Sequence, residues 1–343
     1  EKIKKMNYDN FMRRAISLAD AYKYTAKPNP VVGAILLKNK IIISEGAHQK
    51  YGAAHAEINA INKAKKLIGK KFESFEELTL ICTLEPCNHF GKTGPCSDAI
   101  INSGIKKVVI GSKDPNPKVS GAGIQNLIKH GVDVEVGICD ELVKKQNKFF
   151  FFKHEFNRPY ITVKIASSKD EKSHNKDGSS TWITCKKSRD DVQQVRINHD
   201  AILTGGNTLI NDNPRMNARV NFIANQPKKI LLTNKKNIDF TKKFFKNAEV
   251  DILQETNIKK VIDRYRNSEI NSILVEAGPK LVNSFLLEGL VDELIIYESP
   301  DLLGSNGVNW FEEDNAVENF GFKLESSYKI ESDLKKIYKN VKR

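Results

Sequence analysis

Short apolar runs alternate along the chain with stretches whose apolar residues recur every three or four positions, and this alternation limits the fold more than any other feature. Runs of that kind bounded by turn residues read as strands, and the three-to-four spacing reads as helix. Tyr8, Phe11, Met12, Ala15, Leu18, Ala19 and Tyr22 predict an amphipathic helix over 8–22. Pro28-Asn29-Pro30 ends it, and two apolar stretches, 31–37 and 41–44, joined by Lys38-Asn39-Lys40, predict a hairpin. A helix over 55–67, a strand over 78–84, a helix over 96–103 closed by Gly104, a strand over 107–111, a helix over 123–130 and a strand over 132–136 follow. Such an order predicts an α/β domain, a sheet covered by helices on both faces.

The pattern changes near 149–159, where an aromatic run leads to Arg158-Pro159 and proline stops any helix. Beyond it, strands are expected over 160–166, 201–204, 229–233, 250–253, 272–275 and 293–297, with helices over 188–198, 258–266 and 281–287. Two α/β domains are therefore expected, 1–157 and 158–343, with no repeat relating them. A chain of 343 residues with 40% apolar content has material for two cores. Residues 311–343 carry no usable motif.

Charge raises the question of a nucleic-acid partner, since 55 basic and 42 acidic side chains leave +13. The excess is +9 over 1–157 and +4 over the remainder, without a long basic tract, and only 10 of the bases are arginine. Planar phosphate recognition favours arginine, so a lysine-rich solvated surface is the better reading. No apolar run approaches the roughly 18 residues of a membrane helix, and the charged start lacks a signal-peptide core. A soluble, cytoplasmic protein is expected, with neither nucleic acid nor membrane as partner. In that setting Cys82, Cys87, Cys96, Cys139 and Cys185 are expected as thiols, and cysteine clustered with histidine means metal before it means a bridge.

Such a cluster is present in His55-Ala56-Glu57 and in Pro86-Cys87 followed by Cys96. One histidine and two cysteines supply three zinc ligands and leave a fourth position open for water, which is the pattern of a catalytic site. Both segments sit at predicted helix starts, where the helix dipole favours thiolate. Glu57, two residues from His55, is placed to move a proton from that water to a leaving amine, the division of labour of a zinc nucleobase deaminase. Taken singly, His55, Glu57, Cys87 and Cys96 would each read as ordinary polar or buried residues; it is their conjunction that points to zinc. The usual short form spaces its cysteines P-C-x-x-C, whereas eight residues intervene here. His89 would close the site as a fourth ligand and is given at most a substrate-facing role.

These residues, with Lys27-Pro28-Asn29-Pro30-Val31-Val32-Gly33-Ala34, Thr83-Leu84-Glu85-Pro86-Cys87, Asp114-Pro115-Asn116-Pro117 and Gly121-Ala122-Gly123, resemble the deaminase half of the bifunctional riboflavin-biosynthesis deaminase/reductases. Ser180-Thr181-Trp182-Ile183-Thr184, Arg196, the segment 200–208, Asp212-Asn213-Pro214, Arg219 and Val275-Glu276-Ala277-Gly278-Pro279 resemble its reductase half, in the same order. The resemblance implies a cytidine-deaminase-like three-layer α/β/α domain followed by a dihydrofolate-reductase-like α/β domain. It also implies one zinc per chain, NADPH, and a small-molecule substrate, a phosphoribosylated pyrimidine that is first deaminated and then reduced from ribosyl to ribityl. A homo-oligomer is compatible with it.

By family position, Asn29 would help hold the pyrimidine. Ser167, Trp182, Thr208, Asp212, Asn234 and Gly278, Pro279, Lys280, Leu281, Val282, Asn283 and Ser284 would line NADPH. Lys164, Ser180, Arg196, Met216, Arg219 and Glu276 would hold the substrate. The arginines suit a sugar phosphate, while Glu276 would accept from ribose hydroxyls and Lys164 would steady the opening sugar. No G-x-G-x-x-G follows a strand, so a Rossmann fingerprint is absent; the strand ends Thr204-Gly205-Gly206 and Glu276-Ala277-Gly278 offer close backbone approach to phosphate instead. The chain departs from the family at Asp170-Glu171-Lys172, where Asp-Gly-Arg or Asp-Gly-Lys is usual, and at Asn213, usually aspartate. Other readings of the same residues are a tRNA or nucleobase deaminase with an accessory domain, a deaminase with a decayed reductase half, and a non-catalytic zinc or nucleotide-binding module.

Overall fold

A computed structural model describes residues 7–89, 94–117, 119–177, 183–311 and 317–342. Two compact units emerge, Glu1–Phe156 and Asn157–Arg343. Among the described residues no helix is long and apolar enough to cross a membrane.

The first unit runs α1 (Asp9–Asp20), β1 (Gly33–Lys38), β2 (Ile41–Ala47), α2 (Ala56–Lys65), β3 (Leu78–Leu84), α3 (Cys96–Ser103), β4 (Lys107–Ser112), α4 (Ala122–Lys129), β5 (Asp133–Val136), α5 (Asp140–Gln146) and α6 (Lys148–Phe156). Its sheet has the order β2-β1-β3-β4-β5. β1 pairs antiparallel with β2 and β3, and β3, β4 and β5 are parallel. The period-2 alternation of the strands builds the layers. Ala34, Leu36, Leu80, Cys82, Val108 and Ile110 pack towards α2, α3 and α4. Ile35, Leu37, Ile81 and Val109 pack on Met12 and Ala15 of α1 from the other side. The hairpin, α3 and β3 fall where the sequence places them, and Gly104 ends α3 in the left-handed conformation, φ 90°. The aromatic run differs: it lies within helix α6 rather than in a connection. Four consecutive phenylalanines carry no three-to-four spacing, so the pattern could not show a helix there.

The second unit continues with β6 (Tyr160–Ser167), β7 (Lys172–Asn175), α7 (Lys186–Asn198), β8 (Ala201–Gly205), α8 (Gly206–Asp212), β9 (Lys228–Leu232), β10 (Val250–Leu253), α9 (Ile258–Asp263), β11 (Ser272–Val275), α10 (Pro279–Leu287), β12 (Glu293–Glu298), β13 (Gly307–Asn309), β14 (Phe322–Ile330) and β15 (Asp333–Asn340). Eight strands make one sheet, ordered β10-β9-β8-β11-β6-β12-β15-β14. The strands from β10 to β12 in this order are parallel, and the hairpin β14–β15 adds antiparallel to β12. That hairpin comes from the stretch that carries no motif. Ile161, Val163, Leu203, Ile273 and Val275 face α9 and α10, whereas Ile202, Leu231 and Leu274 face Val192 and Val195 of α7. Parallel strands bring their carboxyl ends to one edge of the sheet, the usual place for a ligand in an open α/β fold.

Candidate active sites

In the first unit, β3 delivers Cys87 just past its end, His55 caps the start of α2, and Cys96 opens α3. His55 Nδ1 lies 3.5 Å from Cys87 Sγ and 3.2 Å from Cys96 Sγ. The three ligand atoms are all within 4.8 Å of one another. Tetrahedral zinc, with Zn–S near 2.3 Å and Zn–N near 2.0 Å, sets nitrogen and sulfur about 3.6 Å apart, so this borderline-soft donor set fits zinc in both chemistry and spacing. Both sulfurs face His55 Nδ1, and the two thiols are shifted in opposite directions. A hydrogen bond from Cys96, then one from His55, brings the Cys87 thiol down to about 4, while the same bond and burial push Cys96 up. His55, Cys87 and Cys96 would hold zinc with both sulfurs as thiolates.

Glu57 follows in the first turn of α2 and is buried, 3% exposed. Burial raises its carboxyl to about 7, with His55 opposing. Asn29 Nδ2 meets His48 Nε2 at 3.1 Å, and the His48 ring stands edge-on to His55, centroids 5.5 Å apart. His48 Nδ1 is tied to the Ala54 carbonyl at 3.2 Å, and burial lowers the ring's pKa. Asn29 is therefore separated from the metal cluster by one side chain, His48. Sequence reasoning does not single out His48, whose signal is its position just past β2, seven residues before His55. Asp114, beyond β4, is raised to about 6, chiefly by burial.

In the second unit, Val275 pairs with Val163, so the next residues, Glu276 and Lys164, are neighbours on the face towards α7. Arg196 of α7 grips Glu276 with two bonds, 2.6 and 3.0 Å, and Lys164 Nζ reaches the same carboxylate at 3.0 Å. Burial would raise Glu276, but Arg196 and Lys164 hold it well below the usual range. Arg196 also donates to the Asn217 carbonyl at 3.2 Å, and its Nη2 lies 3.7 Å from Met216 Sδ. Met216 is buried with φ 48°, an uncommon conformation for a side chain of its size. Arg219 is close enough to Arg196 and Arg215 that, after burial, their charges lower its pKa. A concentration of arginines around one carboxylate suits an anionic ligand.

The residues expected along NADPH collect at strand ends. Ser167 closes β6, Thr208 and Asp212 lie on α8 directly after β8, Asn234 follows β9, and Gly278 caps α10 after β11. A side chain at Gly278 would meet nothing within 4 Å among the described residues, and its φ of −69° is open to any residue. Among the described residues, Thr204 Oγ1 and Asn217 Oδ1 are buried without a hydrogen-bond partner. An open glycine at a helix start and unmet polar atoms are features that a phosphate-bearing cofactor satisfies. Lys280 and Ser284 stay towards solvent, whereas Val282 enters the core and Asn283 Nδ2 bonds the Pro279 and Trp310 carbonyls, both at 2.8 Å. Ser180 and Trp182 lie outside the described residues.

The turn that departs from the family keeps a glycine-like shape. Glu171 has φ 61°, and Asp170 accepts from Ser168 Oγ, Leu303 N and Gly304 N at 2.6, 3.0 and 2.7 Å. Asn213 ends α8 at φ 41° and accepts from Lys243 N at 2.9 Å; asparagine tolerates that region better than most residues.

A family model of the cytidine and deoxycytidylate deaminase zinc-binding region matches residues 5–112, and one of the RibD C-terminal domain matches 159–336. The riboflavin biosynthesis protein RibD of Aquifex aeolicus is 37% identical over 91% of this chain and 95% of its own. This chain belongs to the RibD family. RibD of Escherichia coli is 34% identical, over 88% of this chain and 90% of its own. The solved structure of Acinetobacter baumannii RibD, 34% identical, covers 97% of this chain and 99% of its own with a TM-score of 0.87. The Thermotoga maritima diaminohydroxyphosphoribosylaminopyrimidine deaminase/5-amino-6-(5-phosphoribosylamino)uracil reductase, 33% identical, covers 97% and 98% with a TM-score of 0.82. As a RibD protein, the chain is a deaminase and reductase of riboflavin biosynthesis, with zinc serving the deaminase and NADPH the reductase. Its first fold is cytidine-deaminase-like and its second is that of the RibD reductase.

Proposed function

We propose that the chain acts twice on one phosphoribosylated pyrimidine. It removes the 2-amino group of 2,5-diamino-6-(5-phosphoribosylamino)pyrimidin-4(3H)-one by hydrolysis, then reduces the ribosyl group to ribityl. Residues 1–157 would perform the first reaction and 158–343 the second. The observation that carries the reading is the convergence of His55, Cys87 and Cys96, with the buried Glu57 two residues from His55 on the same helix start.

His55, Cys87 and Cys96 would hold zinc, which when bound activates water as a nucleophile at neutral pH. Glu57 takes the proton of the attacking water on its carboxyl and passes it to the departing amine; a carboxyl near 7 can do both. Asn29 holds the pyrimidine edge, with His48 behind it. In the second reaction NADPH supplies the hydride, and the protein's part is positioning. Ser167, Trp182, Thr208, Asp212, Asn234 and 278–284 would line the cofactor. Arg196 and Arg219, with Ser180 and Met216, would receive the phosphoribosyl group, Glu276 would accept from ribose hydroxyls, and Lys164 would steady the ring as it opens. The partners are small molecules, without nucleic acid or membrane, and a homo-oligomer is compatible with both steps. A reducing cytoplasm would keep the cysteine ligands as thiols.

Assaying ammonia release and NADPH oxidation together on the diaminopyrimidine tests both sites. The expected result is about one zinc per chain and NADPH oxidation that begins only after ammonia is released. NADPH oxidation without prior deamination, or full activity after complete zinc removal, would refute the assignment.

A further inference from the structure

The two cysteine ligands stand nine positions apart, so a single helical turn cannot fix one against the other as it does in the short spacing. The residues immediately after them do. Ser97 N donates to the Cys87 carbonyl at 3.1 Å, and Cys96 N points at Cys87 Sγ at 3.4 Å. Ser97 Oγ, fully buried, donates to Asn88 Oδ1 at 2.7 Å. Asn126 of α4 closes the group: its Nδ2 lies 2.9 Å from Asn88 Oδ1, 3.2 Å from Ser97 Oγ and 2.9 Å from Asp98 Oδ1. The same helix also holds the other side of Cys87. Glu85 accepts from the backbone N–H groups of Gly121, Gly123 and Ile124 at the start of α4, at 3.0, 3.1 and 3.2 Å, and from Asp114 N at 3.2 Å. Cys87 is thus bracketed by two residues, Glu85 and Asn88, that both bond to α4.

We infer that Asn126 is a positioning residue for the zinc site, setting Cys87 against Cys96 through Asn88 and Ser97. This rests on the reading of His55, Cys87 and Cys96 as the ligands. Partners that orient metal ligands without touching the metal typically change its affinity by about tenfold to a hundredfold. A bond that merely held the fold would weaken the metal-free and the zinc-loaded protein alike. A positioning bond contributes mainly when the ligands must meet around the ion, so its loss shows as a smaller gain in melting temperature on zinc loading.

The test uses the full chain, with zinc affinity measured by competition against a chromophoric chelator and melting followed with and without zinc. Asn126→Ala should weaken zinc about tenfold or more, shrink the zinc-dependent rise in melting temperature, leave the metal-free melting in place and leave NADPH oxidation of the deaminated substrate intact. Parent-like zinc affinity, or an equal fall in both melting temperatures, would overturn the inference. Should Asn126→Ala not fold, Ser97→Ala decides: weaker zinc binding supports the network and parent-like binding overturns it. Cys87→Ser separates the two levels. If it binds zinc as the parent does, the ligand reading fails and this inference with it; if it loses zinc while Asn126→Ala does not, only this inference fails.

Discussion

Glu57 and Glu276 are equally buried, 3% and 4% exposed, and their surroundings drive them in opposite directions. Burial penalises the charged form of both. Around Glu57 the charge that opposes the penalty among the described residues is that of His55, and the carboxyl rises to about 7. Around Glu276 the Arg196 fork and Lys164 more than answer it, and the carboxylate is fixed as an anion. The first suits a group that must gain and lose a proton at each turnover, and the second suits a group that holds other groups in place. On the proposed roles, the two units would use the same residue type for chemistry in one case and for positioning in the other.

The largest effect expected from this contrast lies in Glu57→Gln, which keeps the size of the side chain and removes its proton transfer. Ammonia release should fall by about a hundredfold to ten-thousandfold, the usual contribution of general acid–base catalysis, while zinc content and NADPH oxidation of pre-deaminated substrate stay as in the parent. Deamination at the parent rate would break the contrast at its first member.

Glu276→Gln should act on stability first, because it leaves two mostly covered cations, Arg196 and Lys164, without their anion. Breaking a buried ion pair from one side costs about 3–5 kcal/mol, read as earlier melting of the second unit together with loss of reductase activity. The sign of its pH dependence is fixed by the lowered pKa. A carboxyl whose folded pKa lies below its unfolded value of about 4.3 contributes stability that is full above that pH and is lost as pH falls towards the folded pKa. The gap between parent and variant in the second unit should therefore be widest at neutral pH and close progressively below about pH 4. A gap that stays constant down to pH 3 would show that the variant disturbs packing rather than the charge cluster.

The same contrast decides what the sequence could reveal. His55, Glu57, Cys87 and Cys96 lie on two short segments whose residue types are rare together, so the first site is legible without coordinates. Lys164, Arg196, Met216 and Glu276 come from a strand, a helix, a loop and a strand end far apart in the chain, and only the resemblance gathers them. The sheet cores were legible because their strands are near-continuous apolar runs buried on both faces, as in β3 and β11. The hairpin β14–β15 was not, because buried positions on β15 are polar. Asp333 accepts from Cys185 N and Ser188 Oγ at 2.8 and 2.6 Å, and Lys335 pairs with Asp191 at 2.6 Å. Such partners lie more than a hundred residues away, so no local window distinguishes these residues from solvated charges. The tie between Asn88, Ser97 and Asn126 spans 9, 29 and 38 positions and joins polar residues with no periodic pattern, so it too escapes a local reading.

Two glycines after strand ends of the second unit differ in the same way, one pressed by its neighbours and one with open space beside it. A Cβ at Gly206 would lie 2.2 Å from Thr233 Oγ1 and 2.8 Å from Thr233 Cβ. Gly206→Ala should therefore lower the stability of the second unit by about 1–3 kcal/mol, the range for overpacking. Gly278 has no such neighbour, so Gly278→Ala should leave melting unchanged and raise KM for NADPH. Equal melting losses in both variants would show that Gly278 serves the fold after all.

The smallest effect is expected at Glu171, where the fold keeps a left-handed turn without the glycine common in the family. Its φ of 61° persists because the turn is held from outside: Glu171 N donates to Ser168 O at 3.0 Å, Trp310 N donates to Glu171 O at 3.2 Å, and Asp170 is anchored by three donors. A left-handed residue with a side chain costs about 1–2 kcal/mol, and glycine returns about 0.5–1 kcal/mol of that through its larger loss of backbone freedom on folding. Glu171→Gly should then stabilise the second unit by roughly 0.5–1 kcal/mol, a rise of about 1–4 °C in melting for a domain of this size. Reductase kinetics should not change, since the turn already has the shape glycine would give it. A fall in melting would mean that the Glu171 side chain contributes more than its strained backbone costs, and the departure would then count as an adaptation of this reductase half rather than a strain it tolerates.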